Sequence, residues 1–203
     1  MVMTLVYWAE EYSTAEKVFQ KVVAFFVAGS YNRPTAKTKN IFQNGEKTMI
    51  RRAQEKDLAR VLALLQQVLT VHADGRPDIF ANGTTKYSDE ELLALFQDDT
   101  RPIFVFTDKN DSVLGYAFCV IEEIKNVNNM HDRKMLYIDD ICVDETCRGQ
   151  HIATELYRHV RQYAKEIGCY HITLNVWTCN PNAKKFYDAM GMQPLKTVME
   201  DIL

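Results

Sequence analysis

The most informative segment of this 203-residue chain reads Asp144-Glu145-Thr146-Cys147-Arg148-Gly149-Gln150-His151-Ile152-Ala153. It follows a run typical of a buried strand, 135–143, and precedes apolar residues at helical spacing from about Gly149 to Ile167. Gly149 permits a tight turn, and Gly168 is typical of a helix end. The segment therefore predicts a strand, a short loop and a helix in that order.

The loop in this segment has the features of an anion site. Backbone amides around Gln150–Ala153 would have no partners within the helix that they begin. Such amides, with the positive end of the helix dipole, suit a pyrophosphate. Neither GxxxxGK[ST], typical of nucleoside-triphosphate loops, nor GxGxxG, typical of dinucleotide folds, occurs there. Taken alone, the loop fits a simple connection between a strand and a helix equally well.

Strands and helices alternate from Met49 onward. Strands are predicted at Met49–Ala53, Ile103–Thr107, Val113–Ile124, Met135–Val143 and Tyr170–Trp177, and helices at about 57–72, 88–97, 149–167 and 182–190. Lys196–Leu203 could close the sheet as a last strand, and Asp57 is expected in a charged first helical turn rather than in the core. The order predicts an α/β (α+β) fold with a mixed, mostly antiparallel central sheet flanked by helices.

Residues 1–48 differ from the rest of the chain. Apolar residues recur at helical spacing from about Ser13 to Ala28, and Gly29 follows them, so a helix is predicted there. The polar, turn-rich run 30–48 is typical of a linker. We therefore expect an N-terminal extension, 1–48, ahead of one domain, 49–203.

The start of the native protein is open to two interpretations. Gly45-Glu46 can be encoded by a purine-rich sequence like a ribosome-binding site, a few codons before Met49. This spacing favours a bacterial protein that begins at Met49, with residues 1–48 as an over-called extension. The alternative is a genuine helical docking arm.

The composition restricts the classes of function. A formal net charge of −3 argues against a general binder of nucleic acid or of anionic membranes. The apolar runs near the N-terminus are too short to span a bilayer, and no secretion signal precedes them. Five cysteines without a CxxC pair indicate reduced thiols and no zinc site. We therefore expect a cytoplasmic protein without a metal.

A second motif lies near the C-terminus, at Asn180-Pro181-Asn182-Ala183-Lys184-Lys185-Phe186-Tyr187-Asp188-Ala189-Met190-Gly191. Asn180 suits a helix cap, Pro181 the first helical position and Gly191 the helix end. This motif resembles N-x-x-A-x-x-F-Y-x-x-x-G of the GNAT superfamily of acetyl-CoA-dependent N-acyltransferases. The loop at Arg148–Ala153 is similar to the family pattern [QR]xxGx[GA], with His151 in place of the Gly. The resemblance covers about three-quarters of the chain, from Met49 onward, and implies a GNAT-like fold.

The resemblance implies acetyl-CoA as cosubstrate and no metal. Its contacts would be Ile141 and Val143 for the pantetheine arm, Arg148, Gly149, Gln150, His151, Ile152 and Ala153 for the pyrophosphate, and Asn180 and Tyr187 beyond them. Tyr187 would protonate the leaving thiolate, although a core aromatic is the alternative. Asp139 is the first candidate for the base and Asp140 the second, because adjacent strand residues face opposite sides and the sequence does not say which faces the cleft. Either Asp could instead only satisfy loop amides.

The acceptor side is less defined by sequence. Asp78 could select a cationic amine and Phe80 could flank it, in a loop near His72; a solvated loop is the alternative. Cys142 and His171 are expected to be packing residues rather than catalytic ones. The resulting hypothesis is an N-acetyltransferase, monomeric or homodimeric, that moves acetyl to a primary amine by direct attack in a ternary complex. A non-catalytic acyl-CoA sensor is the alternative, and an interaction protein is a third.

Overall fold

Five strands form one sheet in the order β1-β2-β3-β4-β5 in a computed structural model that describes residues 49–203. The helix and linker expected within residues 1–48 lie outside the described residues. The strands are β1 (Met49–Arg52), β2 (Ile103–Thr107), β3 (Val113–Ile124), β4 (Arg133–Val143) and β5 (His171–Leu174). β1 to β4 pair antiparallel, whereas β4 and β5 pair parallel. The prediction of a mixed, mostly antiparallel sheet is confirmed.

Within residues 49–203, four α-helices cover the sheet: α1 (Leu58–Gly75), α2 (Asp89–Phe96), α3 (Ile152–Glu166) and α4 (Pro181–Ala189). Two of them begin at side-chain caps: α4 at Asn180, as predicted, and α2 at Ser88. The hydroxyl of Ser88 accepts from the amide of Glu91 at 3.2 Å, and Oδ1 of Asn180 accepts from the amide of Ala183 at 3.1 Å. α3 begins at Ile152, later than expected, because Gly149 and His151 before it have positive φ.

The sheet separates two apolar cores. One core lies between the sheet and the helices α3 and α4. It includes the strand residues Phe104, Leu136, Ile138 and Ile141 and the α3 residues Leu156 and Val160. Tyr116, Phe118 and Cys142 pack on the other side with α1 and α2, against Val61, Leu64 and Leu92. Truncation of a fully buried leucine such as Leu156 to alanine is expected to cost about 2–5 kcal/mol of unfolding free energy.

A bulge and an early end of strand pairing shape β4. Phe118 pairs with Asp140 and Cys119 pairs with Ile138, so Asp139 is the extra residue of a β-bulge. On the other edge, pairing with β5 ends at Ile138 and Leu174, while β4 continues to Val143. Within the described chain, residues 139–143 therefore have a strand partner on one edge only.

Two sequence predictions about the fold were wrong. Lys196–Leu203 forms no strand, and Val198, Met199, Ile202 and Leu203 are exposed; apolar residues stand there in adjacent pairs, not in the alternation of a half-buried strand. Asp57 is buried, because the guanidinium of Arg51 binds its two carboxylate oxygens at 2.7 and 3.0 Å. Burial removes a carboxylate from water, and the ion pair and hydrogen bonds with Arg51 compensate for that loss; an unpaired carboxylate would have no such compensation.

Candidate cofactor and acceptor site

The loop before α3 presents a row of backbone donors. A 3-10 turn, Glu145–Cys147, follows β4, and Gly149 and His151 then adopt φ of 79° and 61°. Within residues 49–203, no backbone carbonyl accepts a hydrogen bond from the amides of Gly149 to Thr154. These amides lie at the positive end of a 15-residue helix, so the loop is suited to an anion.

His151 occupies the position before α3 in a left-handed conformation, and it is exposed. Left-handed backbone is the region that favours glycine, since a Cβ crowds the adjacent carbonyl there. The imidazole therefore adds strain at the position where the family pattern has Gly, while the backbone keeps the conformation that the loop requires.

Asp144 and Arg60 hold the start of this loop in place through hydrogen bonds and an ion pair. Asp144 is buried; its Oδ1 accepts from the amide of Thr146 at 2.8 Å and from its hydroxyl at 2.6 Å, and its Oδ2 binds the guanidinium of Arg60 in α1. Burial alone would raise the pKa of Asp144, but the bonds from Thr146 and Arg60 lower that pKa to about 2. Arg148 also turns inward, with Nε donating to the carbonyl of Val143 at 3.4 Å.

The open edge of β4 leads from this loop toward α4. The side chains of Ile141 and Val143 are buried in the α3–α4 core, so only their backbone groups are available to a ligand at the edge. Asn180 stands at the start of α4, nine-tenths buried, and its Nδ2 donates to no group of the described chain. Loop, strand edge and Asn180 together offer donors along an extended path.

Tyr187 lies on α4 and is 4% exposed. Its ring packs edge-on against Tyr157 and Phe186, at centroid distances of 6.2 and 5.0 Å. Burial, followed by the charge of Asp140, raises the pKa of the Tyr187 phenol well above its ordinary value. The hydroxyl is therefore protonated at neutral pH, as a group that donates a proton must be.

Asp139 and Asp140 both face the α1–α2 side of the sheet. Oδ2 of Asp139 accepts from Nζ of Lys86 at 2.9 Å, and Oδ2 of Asp140 accepts from the hydroxyl of Tyr116 at 2.6 Å. The expectation that these neighbours face opposite sides was wrong, because the bulge at Asp139 interrupts the alternation of the strand. The two carboxylates thus lie on the same side of the sheet and differ in the group that they bind, Lys86 for Asp139 and Tyr116 for Asp140.

Lys86 is the residue of this site that the sequence did not indicate. Its side chain is 13% exposed, and Nζ lies 5.3 Å from the centre of the Tyr87 ring. Burial lowers the pKa of Lys86, but the charge of Asp139, with contributions from Tyr87 and Asp140, outweighs burial and raises that pKa above its ordinary value. Lys86 is therefore an ammonium at neutral pH. The residues next to Lys86 in the sequence do not indicate this ion pair, because Asp139 is 53 residues away.

The loop between α1 and α2 borders the same region. Phe80 stacks on His72 at 4.9 Å and meets the edge of Trp177 at 5.4 Å. Asp78 is exposed and binds the guanidinium of Arg76, which also binds Glu200. Phe80 thus contacts two other rings, whereas the carboxylate of Asp78 is bound by Arg76. A role for either residue in binding the acceptor stays a prediction.

The remaining candidates have other surroundings. Cys142 is buried, its Sγ donates to the carbonyl of Leu64 at 3.7 Å, and burial raises its pKa well above that of an ordinary thiol. His171 contacts the sulfur of Met135 at 3.3 Å. Across residues 49–203, no three or more His, Cys, Asp or Glu side chains are grouped to hold a metal ion. Searched over the same residues, no helix is long and apolar enough to cross a bilayer.

The chain is similar to known proteins in both sequence and structure. Residues 65–192 match the Acetyltransferase (GNAT) family. The chain is 29% identical to a probable glucosamine 6-phosphate N-acetyltransferase of Drosophila melanogaster, over 64% of this chain and 53% of that protein. It is 26% identical to the glucosamine 6-phosphate N-acetyltransferase of Arabidopsis thaliana, over 54% of this chain and 73% of that one.

A solved structure covers more of the described chain. A single-site mutant of the BH1408 protein from Bacillus halodurans superposes with a TM-score of 0.73 and is 32% identical, over 76% of this chain and 99% of that one. The chain spans only about half the length of the Drosophila protein. The match over 65–192, the sheet that opens beside β4 and the donor loop before α3 lead to one conclusion: the chain belongs to the GNAT family of acetyltransferases.

Proposed function

We propose that this protein transfers the acetyl group of acetyl-CoA to a primary amine by direct attack in a ternary complex. The observation that supports this proposal most strongly is that the donor loop before α3 is continuous with the open edge of β4. The donor loop before α3 leads directly into the unpaired edge of β4, residues 139–143. Asp139 lies on that edge, and Tyr187 belongs to the same buried cluster as Ile141 and Val143. We propose that a cofactor lying along the edge brings its thioester to these two candidate catalytic groups. We take residues 49–203 as the transferase domain; a cytoplasmic location stays a prediction.

The proposed cofactor contacts follow the available donors. Amides of Gly149, Gln150, His151, Ile152 and Ala153 would bind the pyrophosphate, with Arg148 adding its charge after release from the carbonyl of Val143. The backbone of Ile141 and Val143 would pair with the pantetheine amides, as a strand does at a sheet edge. Nδ2 of Asn180 supplies a buried donor at the end of this path.

The reaction needs one proton removed and one supplied. An alkyl ammonium has a pKa near ~10, so the acceptor must lose a proton before its nitrogen attacks the thioester carbon. The C–N bond forms as the C–S bond breaks. The proton of the amine passes toward Asp139, directly or through water, and Tyr187 protonates the departing thiolate. The raised pKa of Tyr187 keeps its proton available until that moment.

The names of the curated relatives suggest one amine to test as the acceptor. The two curated relatives are named for glucosamine 6-phosphate, and this chain aligns with only part of each. We propose glucosamine 6-phosphate as one member of an amine panel for this protein, alongside free amino acids and polyamines.

A non-catalytic acyl-CoA sensor is the second candidate. Two observations favour it: His151 strains the phosphate loop, and Asp139 is already bound by Lys86. Release of free thiol from acetyl-CoA in the presence of the panel separates the two functions. Tight coenzyme binding without thiol release on any amine would support the sensor and contradict the transferase.

The cofactor site has a separate test. Arg148→Glu places a carboxylate beside the proposed pyrophosphate, and coenzyme A affinity measured by calorimetry should fall at least tenfold. Arg158→Glu makes the same charge change on the exposed face of α3, where Arg158 pairs only with Glu155 among the described residues, and serves as the control. Equal affinities of both variants would refute the proposed site.

A further inference from the structure

The Lys86–Asp139 pair is an unusual feature for the acceptor side of this site. The ammonium and the carboxylate lie 2.9 Å apart, and their side chains are 13% and 6% exposed. Lys86 belongs to the loop between α1 and α2, and Asp139 to the bulge of β4, so the pair joins the two sides of the proposed acceptor region. The two opposite charges satisfy each other.

The groups around the pair are polar, and the charges of Asp140, Arg101 and Glu122 also act on this cluster. The Tyr87 ring centre lies 5.3 Å from the ammonium, and the hydroxyl of Tyr137 on β4 accepts from Nδ2 of Asn175, just after β5, at 3.1 Å. Burial, and then the charge of Lys86, lowers the pKa of His72 to about 4, so this imidazole is neutral at pH 7. Asp140 is nearby, but its carboxylate binds Tyr116. Asp139 and Lys86 are thus the opposite charges that a ligand would meet together.

A ligand that carries only positive charge fits this pair poorly. Its ammonium could bind Asp139 only by displacing Lys86, and the lysine would then lie beside a second cation in a partly buried site. Like charges at such a distance repel more strongly than in water, and a buried charge that loses its partner is costly. A ligand with one charge of each sign avoids both costs, because each half of the pair exchanges its present partner for a new one.

We infer that the acceptor of this protein is an amine that also bears an anionic group, a carboxylate or a phosphate, close to the reacting nitrogen. The inference rests on the proposed acetyl transfer and specifies its substrate class. Asp139 binds the ammonium and later receives its proton, while Lys86 binds the anionic group of the same molecule. Lys86 is thus the residue that determines specificity, through a charge-assisted hydrogen bond to carboxylate or phosphate oxygens.

Matched pairs of amines test the inference. Thiol release from acetyl-CoA is measured for β-alanine and β-alaninamide and for O-phosphoethanolamine and ethanolamine, with spermidine as a purely cationic acceptor. In each pair that turns over, kcat/KM should be at least tenfold higher for the anionic member. A preference for the neutral members or for spermidine would overturn the inference and leave acetyl transfer standing. Thiol release from none of these amines would overturn the proposed transferase itself, and the inference with it.

Variants of Lys86 test its role directly. Lys86→Met should reduce the preference for the anionic member about tenfold or more, mainly through a higher KM for that member. It should also improve turnover of the neutral member, because Asp139 becomes available to a simple ammonium. Lys86→Arg keeps the charge and should retain the preference. Lys184→Met, which breaks an exposed pair with Asp188 on α4, is the control. An equal effect of Lys86→Met on both members of a pair would show a structural role only.

Discussion

Asp139 and Asp140 are consecutive in β4, yet both carboxylates bind groups on the same side of the sheet. The bulge makes this possible, and it assigns the two residues different environments. Asp139 binds a lysine from a loop, at the end of the pairing between β4 and β5. Asp140 is 1% exposed and binds the phenol of Tyr116, which is completely buried. We therefore expect Asp139 to act as the base in the reaction and Asp140 to stabilise the fold.

Tyr116→Phe should destabilise the fold. The substitution removes a hydrogen bond to a buried carboxylate, and a charged acceptor left without that donor costs about 1–3 kcal/mol of unfolding free energy. Urea denaturation followed by circular dichroism measures the change. Tyr170→Phe, at a site 77% exposed, is the control and should stay within about 0.5 kcal/mol of wild type. A Tyr116→Phe variant as stable as this control would contradict the stabilising role given to the Tyr116–Asp140 bond.

His151→Gly should stabilise the protein and leave coenzyme A affinity equal or higher. The residue has φ of 61°, and glycine adopts that backbone without the Cβ strain of about 1 kcal/mol. Thermal unfolding and calorimetry measure the two effects. Gly149→Ala is the opposite test: Gly149 has φ of 79° and a Cβ added there would meet open space, so any loss of stability comes from the backbone. If His151→Gly is the less stable of the two variants, the strain assigned to the loop is wrong.

The free energy of unfolding should fall as the pH drops below neutrality, in part because of His72. Burial, then the charge of Lys86, lowers its pKa from 6.5 to about 4 in the folded protein. Below pH 6.5 the unfolded chain therefore binds a proton that the folded chain does not, so this stability is present above pH 6.5 and is lost as the pH falls toward 4. Denaturation at about pH 7 and about pH 5 should show a smaller difference for His72→Gln than for wild type. The exposed His131→Gln is the control, and equal slopes in both variants would argue against the assignment.

Acetyl-CoA alone should leave the mass of the protein unchanged. Direct attack requires no acyl-enzyme, and Cys142 is a buried thiol with a raised pKa, which disfavours the reactive thiolate. Intact-mass spectrometry after incubation without an amine tests this. A gain of one acetyl group that disappears in Cys142→Ala would replace the ternary complex with a two-step route.

Local patterns were sufficient for much of the fold and for the cofactor loop. The Gly149 turn, the Asn180 cap and the stripe of α3 depend on neighbours within a few residues, and all were predicted correctly. Tyr187 likewise lies on the helix that the C-terminal motif predicts.

The acceptor side depends on contacts that are remote in sequence. Lys86 and Asp139 are 53 residues apart, and the bulge that turns Asp139 toward Lys86 depends on how β3 pairs with β4. Asp57 was expected outside the core although its partner Arg51 is only six residues away, because the strand-to-helix turn that joins the two charges is not visible in the apolar pattern. Hydrophobic periodicity does not register such pairings, and for that reason the sequence left the base and the acceptor undetermined.

The most direct measurement of the central claim is the balance of products with a single amine that turns over. Free thiol and N-acetylated amine are quantified from the same reaction, for wild type and for Tyr187→Phe. We predict one thiol for each acetylated amine, and a kcat reduced about 100-fold in Tyr187→Phe with little change in KM for acetyl-CoA. Thiol released without acetylated amine, or a Tyr187→Phe variant as fast as wild type, would contradict it.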